Sequence, residues 1–251
     1  MRRNSAGALV VLIAAAVPIF LLGNALWLFV NPWLVDAQYA LPGFPDDPEL
    51  SNSAREELAV TGVESVRPWG GGAELLREAR LPDGEAAFTE REITHMGDVR
   101  ALLAAFLTAW AISVGLATAA AVALRRIAGP GSVERALARG AVVSLAAMAL
   151  IGVVMLIDFE FFFDGFHGIF FEGDSWRFNE SYTLRRIFPD YFWGVAGGGV
   201  AALVLLQAAA VLLIVRRRAR PDPRSPADGS AIDRNPSGRE PQSRQRATAP
   251  K

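Results

Sequence analysis

The chain of 251 residues contains no cysteine. This absence excludes disulfide bonds, a thiol nucleophile, a cysteine-ligated zinc ion and a lipidated cysteine at the chain's own N-terminus. Histidine is almost as scarce, since His95 and His167 are the only two. Any chemistry that depends on an imidazole therefore has to use one or both of them.

Charged residues are missing from four apolar blocks, residues 6–30, 101–124, 140–157 and 192–215. A helix crosses the hydrocarbon core of a bilayer with about 20 residues, and lengths of about 17–25 are tolerated. Because the backbone finds no water there, such segments have to be helical. The sequence therefore predicts an all-α membrane protein with four transmembrane helices.

Basic residues flank the blocks on one predicted side of the membrane. They are Arg2 and Arg3, then Arg125, Arg126, Arg135 and Arg139, and finally Arg216, Arg217, Arg218 and Arg220. The positive-inside rule makes these segments cytoplasmic. Residues 31–99 hold 14 acidic residues and five arginines, and together with residues 158–190 they are expected outside. Both termini are then cytoplasmic, in a multi-pass protein of the cell membrane.

The first block has two interpretations. Arg2 and Arg3, an apolar run and Gly23-Asn24-Ala25 are compatible with a cleaved signal peptide. The apolar run continues to Val30, however, which is longer than the core of a typical signal peptide. An uncleaved anchor is the favoured interpretation.

These signals divide the chain into six segments. They are the N-terminal end with the first helix (1–31), an acidic cap loop (32–99), the second and third helices with their cytoplasmic connection (100–157), an aromatic outer loop (158–190), the fourth helix (191–215) and a basic cytoplasmic tail (216–251). The two outer loops predict a small cap of mixed secondary structure, with helical composition at 49–60 and 73–80 and a turn at Asp83-Gly84. The tail lacks aromatic residues and is expected to be disordered, with no nucleic-acid partner.

Aromatic residues gather on the predicted outer side. Trp27, Trp33 and Trp193 flank the blocks, as residues of an interfacial belt do. A belt does not explain the run of phenylalanines around His167 in residues 159–171, since the cytoplasmic side has no counterpart. This run predicts an apolar pocket at the outer interface. In the fourth block, the spacing of Gly194 and Gly198 predicts close helix packing.

The two histidines are expected at the same depth, because His95 precedes the second block and His167 follows the third. If residues 91–100 are helical, Glu92, His95 and Asp98 share one face. A carboxylate beside an imidazole fixes its tautomer and raises its basicity. Three chemistries are then open: acid–base catalysis by the pair, a metal site with nearby carboxylates, and nucleophilic attack by His167.

The recognised signatures of other hydrolases and phosphate-binding proteins are absent. The sequence has no H-E-x-x-H, no Walker A motif and no G-x-S-x-G. Two histidines from separate loops are a weak metal signature. Acid–base catalysis is therefore favoured, and neither a metal nor another cofactor is predicted.

Two segments resemble a known family. Residues 92–99 (EITHMGDV) resemble an E-x-x-H-M-x-D-V block, and residues 166–176 (FHGIFFEGDSW) resemble an F-H-x-x-F-F-x-x-D-x-W block. Both blocks are typical of a bacterial four-span membrane family that includes the lipoprotein intramolecular transacylases. Residues 184–192 are similar to the start of that family's last span. The resemblance covers about residues 6–215, apart from the loop 41–88.

The resemblance implies a fold and an activity. Family enzymes have four membrane helices and an extracellular cap, with the active site where cap and membrane meet. They move the sn-2 acyl chain of a diacylglyceryl lipoprotein to the amino group of its N-terminal cysteine. Two histidines are catalytic in the family, and they correspond here to His95 and His167. The implied partners are membrane lipids and the lipoprotein substrate, without a cofactor. The oligomeric state is left open.

The predicted site combines these residues with the aromatic run. We expect an acyl-binding pocket that excludes water, formed by Phe161, Phe166, Phe170, Phe171 and Trp176. Glu92, Asp98, Asp174 and Tyr182 are expected to support it. His167 is taken as the base because it lies within the aromatic run, although exchanged roles fit the sequence equally. Two other functions remain open: a non-catalytic lipid- or lipoprotein-binding membrane protein, and a metal-dependent membrane hydrolase.

Overall fold

The structure is a computed structural model that describes residues 2–218. Within that range the chain forms nine helices and no strand. They are α1 (Arg2–Phe29), α2 (Pro32–Tyr39), α3 (Asn52–Val66), α4 (Ala73–Glu78), α5 (Glu90–Ala128), α6 (Pro130–Ile157), α7 (Phe159–Phe170), α8 (Thr183–Ile187) and α9 (Asp190–Arg218). The prediction of a disordered tail falls mainly on residues outside the described range.

Four of these helices, α1, α5, α6 and α9, are long and apolar enough to cross a membrane. Helix α1 packs against the other three, and two buried apolar clusters hold the bundle together. The start of α1 lies beside the end of α5 and the start of α6, because Ile13, Leu124 and Ala136 share one cluster. The prediction of an all-α, multi-pass membrane protein with four spans is confirmed.

Glycines allow the membrane helices to approach closely, but not at the positions predicted. A Cβ at Gly140 would lie 2.5 Å from a side-chain carbon of α1, and one at Gly199 would lie 2.4 Å from the ring of Phe29. Gly194 and Gly198 have no neighbouring atom within 4 Å of such a Cβ. The prediction of close packing at those two glycines is therefore wrong, because α9 turns the face bearing Gly199 toward α1.

Two hydrogen bonds of Gln207 join α9 to α1 inside the bundle. Asn24 Nδ2 donates to Gln207 Oε1 at 2.9 Å, linking α1 to α9. Gln207 Nε2 in turn donates to the carbonyl oxygens of Leu21 and Leu203, each at 3.2 Å. Interhelical hydrogen bonds of this kind contribute about 0.6–2 kcal/mol in a membrane. They also fix how α1 and α9 are rotated relative to each other.

The cap is built on the beginning of α5. At 1.5 Å per residue, the 39 residues of this helix extend about 58 Å, roughly twice the hydrocarbon thickness of a bilayer. Its first turns pack with α2, α3, α4, α8 and the start of α9 around one apolar core, which includes Leu58, Leu76, Ile93 and Ile187. The remaining cap structure is one isolated antiparallel bridge between Arg80 and Ala86, around the predicted turn.

Buried charge joins the two outer loops. The side chain of Arg55 is 2% exposed and donates to the carbonyl oxygens of Pro45 and Arg186. The Arg186 guanidinium pairs with Asp47 at 2.5 Å, and this hydrogen-bonded partner holds the pKa of the Asp47 carboxyl well below its ordinary value. Part of the acidic loop thus binds the segment that leads into the fourth span.

Candidate active site

The N-terminus of α5 positions His95. Thr89 caps the helix, and its Oγ accepts from Glu92 N while the Glu92 carboxylate accepts from Thr89 N at 2.8 Å. The other carboxylate oxygen of Glu92 accepts from Leu184 N, also at 2.8 Å. Glu92 is 1% exposed. It therefore fastens the start of α5 to α8, one turn before His95.

This arrangement corrects the expectation that a carboxylate holds His95. Glu92 is occupied by Thr89 and Leu184, and Asp98 is exposed. His95 itself is buried, and its Nδ1 has no hydrogen-bond partner among the described residues. A buried N–H group without an acceptor is rarer than a buried acceptor without a donor. We therefore assign the proton of a neutral His95 to Nε2.

Helix α7 positions His167. Asp158 caps this helix by accepting from Phe161 N at 2.9 Å. One turn before the histidine, the carbonyl oxygen of Phe163 lies 2.8 Å from His167 Nδ1. A carbonyl only accepts, so Nδ1 donates, and the neutral ring carries its lone pair on Nε2. Burial is the main cause that lowers the pKa of His167 below 6.5, and it favours this neutral, basic form.

The two imidazoles come from different helices but lie close together. Their ring centroids are 6.1 Å apart, with planes inclined by 30°. Phe171 lies against both rings, with its centroid 5.1 Å from that of His95 and 5.4 Å from that of His167. Two neutral imidazoles at this spacing can act on neighbouring atoms of one bound group.

Aromatic rings enclose the pair, although not all of the predicted ones do. Trp176 is buried and stacks on His167 at 4.7 Å, and Phe166 meets the same ring edge-on at 5.4 Å. Phe170 contacts Phe166 rather than a histidine. Phe161 is 68% exposed and lies on the outer side of α7. Of the five aromatic residues expected in the acyl-binding pocket, Phe161 and Phe170 thus lie away from the histidines.

Two pocket residues were missed by the sequence reasoning. The ring of Phe163 lies 4.0 Å from that of His167, and Phe178 lies 5.4 Å from His95. Helical spacing would have found Phe163, since it precedes His167 by four residues and shares its face. Nothing local points to Phe178, because the segment after α7 has no regular pattern.

Two other acidic residues near the site pair with an arginine. Asp164 pairs with Arg177 at 3.0 Å, and the exposed Asp174 pairs with the same side chain at 3.4 Å. Tyr182 packs on Phe178, behind His95. In the described part of the chain, no three His, Asp or Glu side chains converge as metal ligands would.

Comparison with known proteins gives three findings. The family model described as "Lipoprotein intramolecular transacylase Lit" matches residues 11–193. An uncharacterized protein of Aquifex aeolicus (strain VF5) is 31% identical over 177 residues, which cover 70% of this chain and 78% of the relative. The membrane-integral lipoprotein intramolecular transacylase Lit of Bacillus cereus has a similar structure, with a TM-score of 0.71 at 15% identity, covering 85% of this chain and 95% of that chain.

A second structure of the Bacillus cereus protein, in which one histidine is replaced by arginine, is also similar. Its TM-score is 0.64 at 18% identity, covering 86% of this chain and 91% of that chain. At these identities the likeness shows a shared fold. The family match extends over most of α1 and through α8 to the start of α9, and so includes both histidines.

Proposed function

Because the chain belongs to the lipoprotein intramolecular transacylase family, we propose that it moves the sn-2 acyl chain of a diacylglyceryl lipoprotein to the amino group of the substrate's N-terminal cysteine. The observation that carries this proposal is the pair of close imidazoles in an aromatic enclosure. No convergence of carboxylates supports the metal-dependent alternative within residues 2–218.

The reaction needs one proton to travel from the amine to the departing glycerol oxygen. The amine nitrogen attacks the ester carbonyl, and His167 Nε2 takes its proton. The C–N bond forms, the ester C–O bond breaks, and the proton passes from His167 to the glycerol oxygen. The product is an isomer of the substrate, so no co-reactant is consumed. A general base contributes about 10²–10⁴-fold to such a step.

His95 acts as the partner of His167. With its proton on Nε2, it donates a hydrogen bond to the carbonyl oxygen as negative charge develops there. Donors aimed at such an oxyanion contribute about 10²–10³-fold. The buried Nδ1 of His95 keeps this ring neutral, so that it donates without first taking a proton from the medium.

The aromatic enclosure supports transfer over hydrolysis. Phe163, Phe171 and Trp176 pack around His167, and we expect these rings to keep water away from the reacting ester. A folded substrate whose amine and ester lie side by side also gains from proximity, for which effective molarities reach about 10⁵ M or more. The amine then competes successfully with water for the ester.

The proposal is tested in a host strain that makes only diacyl lipoproteins. Expression of the chain should convert the N-terminal lipopeptide of a lipoprotein to an N-acyl, lyso-glyceryl isomer, detected by tandem mass spectrometry. Unchanged lipopeptide in the presence of well-inserted protein contradicts the proposal and favours a non-catalytic binding role.

Phe163 should contribute more to turnover than Phe161. Replacing Phe163 by alanine opens the enclosure beside His167 and admits water, so we expect acyl transfer to fall about tenfold or more while released fatty acid rises. Phe161→Ala is the matched control two residues away, and its exposed ring predicts less than a twofold change. Equal losses in both variants contradict the assigned pocket.

The pH dependence of the transfer rate should reflect the protonation of His167. Because burial lowers the pKa of His167 below 6.5, more than half of this base stays neutral at pH 6.5, and the half-maximal point of the rate lost to its protonation should lie below pH 6.5. Initial rates in detergent between pH 4.5 and 8, with an unreactive reference lipid as internal standard, measure this limb. A half-maximal rate at a pH above 6.5, in a limb that disappears in His167→Gln, would contradict the assignment of His167 as a base with a lowered pKa.

We also propose that the site faces the outside and that both termini are cytoplasmic. Because the chain has no cysteine, single substitutions allow selective labelling. A membrane-impermeant maleimide should label Ser53→Cys in the cap of intact cells, but Ala128→Cys at the opposite end only after permeabilisation. The reverse pattern contradicts this orientation.

A further inference from the structure

A second cavity lies at the end of the bundle opposite the histidines. It has a volume of about 300 Å³ and lies between α5, α6 and α9. Its walls are mostly apolar, but three charged side chains line it: Arg125, Glu134 and Arg218. This cavity shares no residue with the proposed active site.

The charged groups of the cavity are unpaired within the described residues. The guanidinium groups of Arg125 and Arg218 form neither an ion pair nor a hydrogen bond there. The Oε2 atom of Glu134 is buried and has no hydrogen-bond partner. A buried acceptor without a donor is unfavourable. The cavity thus offers two cations and one unsatisfied acceptor to an incoming group.

A second apolar cavity of about 200 Å³ lies between α1, α5 and α6. It shares Ala121, Val133 and Leu137 with the first cavity and reaches Ser113 and Ile13. The distance along α5 from residue 125 to residue 113 is about 18 Å at 1.5 Å per residue. This is about the length of an extended C16 acyl chain.

We propose that the two cavities bind one phosphatidylglycerol-type phospholipid of the leaflet opposite the active site. Its phosphate lies between Arg125 and Arg218, a headgroup hydroxyl donates to Glu134, and an acyl chain extends past the shared residues into the second cavity, toward Ser113. Basic pockets between membrane helices bind anionic headgroups in this way. The proposal is independent of the proposed catalytic activity.

Charge balance favours this lipid over a zwitterionic one. Two guanidinium groups and one carboxylate leave a single positive charge, which one phosphate anion neutralises. A phosphatidylethanolamine headgroup is neutral overall and would leave that charge uncompensated close to hydrocarbon. The hydroxyl groups of a glycerol headgroup also supply the donor that Glu134 lacks.

Lipid titration of the delipidated full-length protein, followed by native mass spectrometry, tests the proposal. One phosphatidylglycerol per chain should be retained in preference to phosphatidylethanolamine of the same acyl chains, by about tenfold or more. The double variant R125Q/R218Q should lose this preference. The matched double variant R126Q/R217Q removes the same charge from neighbouring exposed positions outside the cavity and should retain it.

A second lipid tests the contact with Glu134. Phosphatidylmethanol has the same charge as phosphatidylglycerol but no headgroup hydroxyl, so wild type should bind it severalfold more weakly. In Glu134→Ala the two lipids should bind alike. Equal losses in the two double variants would show diffuse attraction to the basic end of the bundle. That result, or the absence of any preference in wild type, overturns the proposal.

Discussion

Replacement of His167 by alanine is expected to lower the initial rate of acyl transfer by about 10²–10⁴-fold. Among residues 2–218, this side chain alone both contacts the enclosure and presents a fixed basic nitrogen, since Phe163 holds its Nδ1–H. Replacement of His95 should cost about 10²–10³-fold, because it removes one donor to the oxyanion. Both rates are measured on a synthetic diacylglyceryl lipopeptide in detergent.

Loss of packing could mimic a catalytic loss, so His167→Phe is the control. It keeps an aromatic ring between Phe163 and Trp176 while removing the base. The two variants at this position should be equally inactive, with unchanged thermal unfolding for His167→Phe. If His167→Ala retains more than a tenth of the wild-type rate, the assignment of the base is wrong.

The second large effect is expected at Glu92, which contacts no histidine. Glu92→Gln places an amide NH₂ against one of two backbone donors, Thr89 N or Leu184 N. A buried donor left without an acceptor costs about 1–3 kcal/mol. We expect the unfolding midpoint to fall by roughly 5 °C.

The transfer rate of Glu92→Gln should also fall, because Glu92 holds the start of α5 one turn before His95. A displacement of about 1 Å at a reacting group costs on the order of 10²-fold in rate. Glu90→Gln is the matched control, because its side chain is 77% exposed and lies 3.6 Å from Arg77. That variant should unfold within about 0.5 kcal/mol of wild type. Unfolding of both variants is measured by tryptophan fluorescence. Equal destabilisation would show that the contact between Glu92 and Leu184 does not hold the cap to α5.

The membrane helices could be predicted because a bilayer requires only a long apolar segment from each of them. Each block needs about 20 apolar residues without charge, and that pattern is visible in one dimension. Which face of each helix packs is a different question. Gly199 rather than Gly198 approaches Phe29, because the rotation of α9 depends on contacts such as the one between Asn24 and Gln207.

The sequence was enough to predict that the two histidines lie near each other among aromatic rings. Their proximity was expected because both histidines lie at ends of membrane spans on the same predicted side of the membrane. The contacts of Glu92 could not be predicted in the same way. Glu92 shares a helix face with His95, but its carboxylate is used by the capping box with Thr89 and by a long-range contact to Leu184. Likewise, only the tertiary fold brings Phe178 to His95.

The most direct test uses the purified chain and a synthetic diacylglyceryl lipopeptide. The proposal predicts a product of unchanged intact mass, with the acyl chain located on the cysteine amine by fragmentation. A lipopeptide whose amine is acetylated should not react. Unchanged free-amine substrate with folded protein, or release of the fatty acid to water from both lipopeptides, would contradict an intramolecular transacylase.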